Sequence, residues 1–382
     1  MRIGIDARLW NETGVGRYIR SLFRYLSECD QENEYVWFVR KVDHQNIKDQ
    51  ISRLRQGFGG QANLKWEVVI GDVRWHTFAE QLVLPWIFAR KKLDLLHFPY
   101  FSFPILYPGK FVVTIHDLIF DHYKTGKTST LPSWLYAVKK AGYHTVLWTS
   151  VRRAEKVLTL SNDSKNEIVN HYHIDPNKIV VTYESGELED VRKKFEGKEF
   201  EKIKKLAPYL LYVGNAHPHK NVETLILAMQ EVRKKFPNMK LVLVGNDPFF
   251  YPKLEEFTHK KRFTDTVKII GSVPNNQIAA WYHFAEALVT ASKMEGFGIP
   301  PLEAMSMGCP AMVSDISVFH EVYADAAVYF DQNDPENISQ VVVKTLGNKA
   351  LVEELVKRGY ERSKIYSWEK TVRETLEAYK KC

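Results

Sequence analysis

Short runs rich in Val, Ile and aromatic residues alternate with longer helix-length stretches from one end of the chain to the other. In the first half the runs Arg2–Asp6, Tyr35–Val39, Leu64–Ile70, Leu93–Phe98, Phe111–His116, Lys156–Ser161 and Lys178–Thr182 read as strands. Several are near-continuously apolar and bounded by Gly, Pro or Asp, the pattern of parallel strands buried on both faces. A charged segment poor in apolar residues, Glu184–Lys205, interrupts the alternation. It then restarts with Tyr209–Val213, Lys240–Val244, Val267–Ile270, Ala287–Thr290, Ala311–Ser314 and Ala327–Phe330. Helical stretches such as Asn221–Lys235 and Asn337–Leu346 lie between strands of this second set. Two successive series of βα units predict an α/β protein of two doubly wound, Rossmann-like domains facing across a cleft. The expected division is 1–184 for the first domain and 185–366 for the second, with a C-terminal helix, 367–382, packing back on the first.

Length agrees with this division, since 382 residues exceed one ordinary core and suit two. Composition is that of a soluble globular protein, 45% apolar and 26% charged. The start, Met1-Arg2-Ile3-Gly4-Ile5-Asp6, reads as a strand and not as a signal peptide. The longest apolar stretch lies near Leu82–Ala89, broken by Pro85, well short of the ~20 residues a membrane helix needs. Cys29, Cys309 and Cys382 are too scattered for a disulfide framework or a zinc site. The expectation is a reduced, cytoplasmic enzyme.

The net charge of +7 is concentrated. Residues 1–50 balance, as do residues 181–382, while 51–180 hold 17 basic against 10 acidic side chains. A basic middle suits an anionic lipid, a phosphorylated acceptor or nucleic acid, or is a solvated surface without a partner. No nucleic-acid module signature accompanies it, so nucleic acid is not an expected partner.

Ligands of open α/β sheets bind beyond the carboxyl ends of strands, and four loops in such positions carry chemistry. Thr13-Gly14-Val15-Gly16-Arg17-Tyr18-Ile19 follows the first strand. It lacks the third glycine of a dinucleotide fingerprint, and the second strand ends in Val39-Arg40-Lys41 where a ribose-binding acid would stand, so an NAD site is not expected. Its glycines still permit close approach of a ligand to a helix amino terminus, or they simply make a tight turn. Thr114-Ile115-His116-Asp117 places His116 at a strand's carboxyl edge, as a catalytic or a structural imidazole. Gly214-Asn215-Ala216-His217-Pro218-His219-Lys220-Asn221 puts Lys220 beside a strand end, where it suits a phosphate.

The richest loop runs from Ser292 through Glu295-Gly296-Phe297-Gly298-Ile299-Pro300-Pro301-Leu302-Glu303. Its glycines free the backbone, and its prolines suit the first turn of a helix. Exposed amides there can hold a diphosphate or a sugar, and the two carboxylates can accept bonds from sugar and ribose hydroxyls.

These four loops in this order resemble glycosyltransferase family four, a retaining family of GT-B fold, over nearly the whole chain. The stretch EGFGIPPLEAMSMGCP, from Glu295, carries the resemblance most specifically. The TGVGRYI loop, the THD step, LSNDSK from Leu160, the PHKN step and the late Tyr366-Ser367-Trp368-Glu369 join it. The wording is closest to the mannosyltransferase-like branch. The resemblance implies transfer of a hexose, mannose favoured, from a nucleotide-diphosphate sugar to a glycan or lipid-linked acceptor. GDP-mannose is the favoured donor and a UDP-sugar the other.

The resemblance also implies residue roles. Glu295 contacts donor-sugar hydroxyls and stabilises developing positive charge, and Glu303 holds the ribose. The amides of Phe297, Gly298 and Ile299 meet the diphosphate and sugar, and Lys220 neutralises the leaving diphosphate. His116 lies over the reacting sugar, Gly14 and Gly16 approach the phosphate, and the base stacks near Gly271-Ser272-Val273. Many relatives carry an arginine shortly before the lysine, where this chain has Asn215 and His219; protonated His219, Arg8 or Arg17 are the candidate substitutes. Where relatives often show an Asn-Gly-Val-Asp step, this chain reads Glu184-Ser185-Gly186-Glu187.

No Asp-x-Asp occurs anywhere, so the usual metal–diphosphate anchor is missing and a transfer needing neither metal nor cofactor is expected. A nucleotide-sugar epimerase or a non-catalytic binding protein on the same architecture are the alternatives. Acceptor choice is expected in loops around Phe98–Tyr107 and Asp121–Trp148, whose aromatics would face a lipid, a glycan or the core. Arg90-Lys91-Lys92, Lys139-Lys140, Arg152-Arg153 and the aromatic run Phe98–Pro104 together suggest peripheral attachment to the inner face of an anionic membrane.

Overall fold

The computed structural model describes residues 1–57, 65–123, 132–188, 195 and 198–382. The expected strand start at Leu64, the middle of the Asp121–Trp148 segment and part of the Glu184–Lys205 segment lie outside the described residues. Two compact units emerge. The first holds Met1–Leu118, Pro132–Glu184 and Trp368–Cys382; the second holds Ser185–Ser367 together with Ile119–Leu131.

Among the described residues the strands form two sheets. The first has seven, β1 (Arg2–Asp6), β2 (Glu34–Val39), β3 (Trp66–Ile70), β4 (Leu95–Phe98), β5 (Phe111–Ile115), β6 (Lys156–Thr159) and β7 (Ile179–Val181), in the order β3-β2-β1-β4-β5-β6-β7. The second has six, β8 (Tyr209–Val213), β9 (Lys240–Val244), β10 (Val267–Gly271), β11 (Ala287–Thr290), β12 (Ala311–Ser314) and β13 (Ala327–Phe330), in the order β10-β9-β8-β11-β12-β13. Every pairing is parallel. In each sheet the order reverses beside the first strand of the unit, and that is where doubly wound sheets bind ligands.

Alternate residues of a strand point to opposite faces, so each sheet carries a core on both sides. In β2, Tyr35 and Trp37 join one buried apolar set while Val36 and Phe38 join the other. In β8, Leu210 and Tyr212 divide from Tyr209 and Leu211 in the same way. The C-terminal helix Trp368–Lys380 belongs to the first unit: Trp368, Val372, Leu376 and Tyr379 pack with Tyr18, Leu22 and Leu26 of the helix Gly14–Cys29. Polar contacts fix it from below. Tyr379 Oη lies 2.6 Å from His97 Nδ1, His97 Nε2 lies 2.8 Å from Thr114 Oγ1, and Thr114 lies 3.3 Å from Tyr18 Oη. This chain of groups satisfies buried polar atoms that would otherwise cost stability. Burial pushes His97 down to about 3, so it stays neutral and serves as a structural connector.

The aromatic run after β4 turns inward. Phe98, Phe101 and Phe103 are buried among Phe88, Tyr107 and Phe111, so this loop does not offer its rings to a membrane or a glycan, as its composition had allowed. Seven apolar or aromatic side chains, besides two prolines, fall within Phe98–Tyr107, and inward packing removes most of them from water.

Candidate active site

In the second unit the loops after β8 and β11 are joined. The Lys293 N–H donates to the His219 carbonyl at 2.7 Å, and Lys220 Nζ lies 2.7 Å from each carboxylate oxygen of Glu295. Both side chains are largely buried. Burial by itself raises the Glu295 pKa, but the Lys220 ammonium outweighs it, and the carboxylate is held below its usual range. A chelated ammonium–carboxylate contact of this kind is among the stronger hydrogen bonds.

His219 is buried nearby, and burial with Lys220 beside it drives its pKa to about 3. The imidazole is therefore neutral, not the second cation considered from the sequence. Its Nδ1 is buried with no hydrogen-bond partner among the described residues, which leaves a neutral donor or acceptor position beside Lys220. Arg8 is unsuited to replace the missing arginine. Its guanidinium is buried between Asp6 and Glu80, at 2.7 Å from each, and Ser102 donates to the same Glu80. Arg17 sits partly buried in the first turn of the helix Gly14–Cys29.

The Glu295 loop leads into the helix Ile299–Ser306, with Pro300 and Pro301 in its first turn and Phe297 buried before it. Gly298 has φ +92°, and the Tyr323 hydroxyl donates to its carbonyl. A Cβ there would come within 2.2 Å of that hydroxyl oxygen, so only glycine fits. Glu303 is buried on the same helix and accepts a hydrogen bond from the Tyr282 hydroxyl. Val273, half-buried, follows β10 on the same sheet.

In the first unit His116 follows β5. Its Nε2–H donates to the Pro99 carbonyl at 2.8 Å, which leaves Nδ1 as the acceptor nitrogen. Nδ1 lies 3.8 Å from a carboxylate oxygen of Glu184, and the Tyr18 ring meets the imidazole edge-on at 5.2 Å. Burial lowers the His116 pKa to about 4 and raises that of Glu184 to about 8, with Arg17 opposing and Asp117 reinforcing the rise. At neutral pH a neutral imidazole thus faces a mostly protonated carboxyl. The sequence singled out His116 but assigned no role to Glu184; the signal was there in the departure from Asn-Gly-Val-Asp. Gly16 is needed sterically, since a Cβ would sit 2.6 Å from the Trp10 carbonyl oxygen, whereas Gly14 begins the helix in open space.

Two parallel, doubly wound sheets of seven and six strands give the chain the architecture of the GT-B fold. Solved GT-B enzymes superpose on the whole chain: Anabaena HepE with UDP and glucose, at TM-score 0.74 and 13% identity over 100% of both chains, and the lipopolysaccharide glycosyltransferase WaaG, at 0.69 and 16% over 99% of both. The family descriptions "Glycosyltransferase Family 4" and "Glycosyl transferases group 1" match residues 13–184 and 193–362. The O-antigen chain mannosyltransferase RfbU of Salmonella typhimurium is 30% identical over 263 residues, 69% of this chain and 68% of its own. O-antigen chain mannosyltransferase B of Escherichia coli is 28% identical over 381 residues, 96% of each chain. The chain belongs to glycosyltransferase family 4 and is a glycosyltransferase.

Proposed function

We propose that this enzyme transfers mannose, with retention, from a nucleotide-diphosphate sugar to a growing glycan or a lipid-linked acceptor. GDP-mannose is the favoured donor, because the relatives that match most of the chain are O-antigen mannosyltransferases. The structural neighbours with UDP and UDP-glucose make a UDP-sugar the competing choice.

The observation that carries this reading is the contact between Lys220 and Glu295. In the free protein each neutralises the other. A bound donor brings a diphosphate to Lys220 and sugar hydroxyls to Glu295, so both partners exchange one charge-assisted contact for another without leaving a buried charge unpaired. Lys220 then offsets the charge that grows on the departing diphosphate. The amides of Phe297, Gly298 and Ile299, at a helix amino terminus, add to that stabilisation. Glu295 stabilises the oxocarbenium character at the sugar, and Glu303 accepts from the ribose. Val273 stands near the base, and the neutral His219 offers one hydrogen bond beside Lys220. His116, Gly14 and Gly16 of the first unit keep the roles the resemblance implies. With no Asp-x-Asp in the chain, the same charges serve in place of a metal.

A thermal-shift series with GDP-, UDP- and ADP-sugars tests the donor. GDP-mannose alone should raise the melting temperature. A shift with none of them would remove the nucleotide-sugar reading, and a shift confined to UDP-sugars would move the donor to that class.

A further inference from the structure

The helix Phe78–Ala89 is apolar on both faces. Inward it buries Leu84 and Phe88; outward it sets Phe78, Leu82 and Trp86 in one stripe, four residues apart and 91%, 69% and 57% exposed. An ordinary surface helix keeps its outer face polar, and a stripe of Phe, Leu and Trp in water marks an interaction surface. The surface continues beyond the helix. The Gln81 side chain accepts from the Ile105 N–H at 2.7 Å and donates to the Phe103 carbonyl at 3.2 Å, which ties the neighbouring loop, with its exposed Leu106, to the stripe. Arg153 of the helix Ser133–Arg153 donates to the Ile105 carbonyl, and that helix exposes Val138 and Trp148.

Charge on these two helices has a single sign. Their sole acidic residue is Glu80, which is buried against Arg8 and Ser102. Exposed Lys139 and Arg152 lie on the second helix, and Arg90 and Lys92 follow the first. Two of the arginines are stacked on the exposed tryptophans: the Arg90 guanidinium lies 3.2 Å from the Trp86 ring centre and that of Arg152 lies 4.6 Å from the Trp148 ring centre. An amphipathic ring carrying a guanidinium suits the boundary between headgroups and acyl chains, where the ring is half-buried and the cation meets phosphate.

We propose that this face of the first unit, built on Phe78, Leu82, Trp86 and Trp148 and rimmed by Arg90 and Arg152, docks on an anionic lipid surface. Basic side chains gain from an anionic leaflet and the apolar stripe gains from leaving water; a neutral surface supplies only the second. The proposal deepens the lipid-linked acceptor reading and rests on it for its purpose, while its test does not depend on the donor.

Co-sedimentation of the full chain with vesicles of phosphatidylcholine alone, and of phosphatidylcholine mixed with phosphatidylglycerol, tests it at low and high salt. Wild type should bind the mixed vesicles, and added salt should weaken the binding. The double variant Leu82→Ser/Trp86→Ser should bind them roughly tenfold more weakly or worse, since binding scales with apolar area buried. Its melting temperature and its affinity for GDP should match wild type. Failure of wild type to bind mixed vesicles, or equal binding by the double variant, overturns the proposal. So does a wild-type dimer that the double variant dissolves, because the stripe would then be covered by a second copy. Vesicle binding without any GDP binding would leave the docking face standing and remove GDP-mannose as the donor.

Discussion

Lys220 Nζ is held at 2.7 Å from both carboxylate oxygens of Glu295, 75 residues away in sequence. The contact closes the loops after β8 and β11 onto each other, and Lys220 is the residue that should meet the diphosphate. Lys220→Ala should weaken binding of the nucleoside diphosphate by about 1.5–3 kcal/mol, the worth of a charge-assisted contact. Calorimetry reads this directly, and an unchanged affinity would assign the phosphate to another cation. The same substitution leaves the Glu295 carboxylate buried without its cation, so its pKa should rise.

Glu184 and His116 make stability depend on pH in opposite directions. The Glu184 pKa is raised from 4.5 to about 8 in the folded protein, so its contribution is complete below pH 4.5 and is lost as pH rises through 8. The His116 pKa is lowered to about 4, so its contribution is complete above 6.5 and is lost as pH falls through 4. Glu184→Gln should therefore gain stability relative to wild type as pH is raised from about 5 to about 9. Denaturant midpoints across that range check this, and parallel profiles for the two proteins would mean that Glu184 ionises freely.

Gly298→Ala should be unfavourable on two counts, a positive φ and a Cβ driven against the Tyr323 hydroxyl. A loss of about 1–3 kcal/mol in unfolding free energy is expected, with donor affinity falling as the loop amides shift. A variant as stable as wild type and equal in donor binding would show that this loop geometry is not needed.

Turnover should persist after treatment with EDTA if, as proposed, Lys220 and the loop amides take the part of the metal that an Asp-x-Asp would hold. Loss of activity in chelator, restored by Mg²⁺ or Mn²⁺, would contradict the metal-free transfer.

The fold was legible because buried parallel strands are written as continuous Val, Ile and Leu runs. β5 and β9, for example, are Phe-Val-Val-Thr-Ile and Lys-Leu-Val-Leu-Val, and each turned up where its run predicted. Pairings set by distant parts of the chain were not legible. Arg8 looks like a spare cation until Glu80, 72 residues on, is found against it. Glu184 is an ordinary acid in sequence, and only tertiary burial moves it toward 8. Direction was hidden as well. The run Phe98–Pro104 and the helix Phe78–Ala89 are both apolar, yet the first turns into the core and the second presents Phe78, Leu82 and Trp86 to solvent. Composition records how apolar a segment is and not which way it faces. Among the described residues no helix is long and apolar enough to cross a membrane, which agrees with the broken run at Pro85.

The central claim is that Glu295 serves the transfer itself, and a comparison of turnover with GDP-mannose by wild type and by Glu295→Gln tests it most directly. The amide keeps the shape and an oxygen for Lys220 but removes the negative charge proposed to stabilise the sugar cation. Turnover by the folded variant should fall ~10²-fold or more, as when a charge-stabilising group is removed from an active site. Near-normal turnover by a folded Glu295→Gln protein would contradict the account.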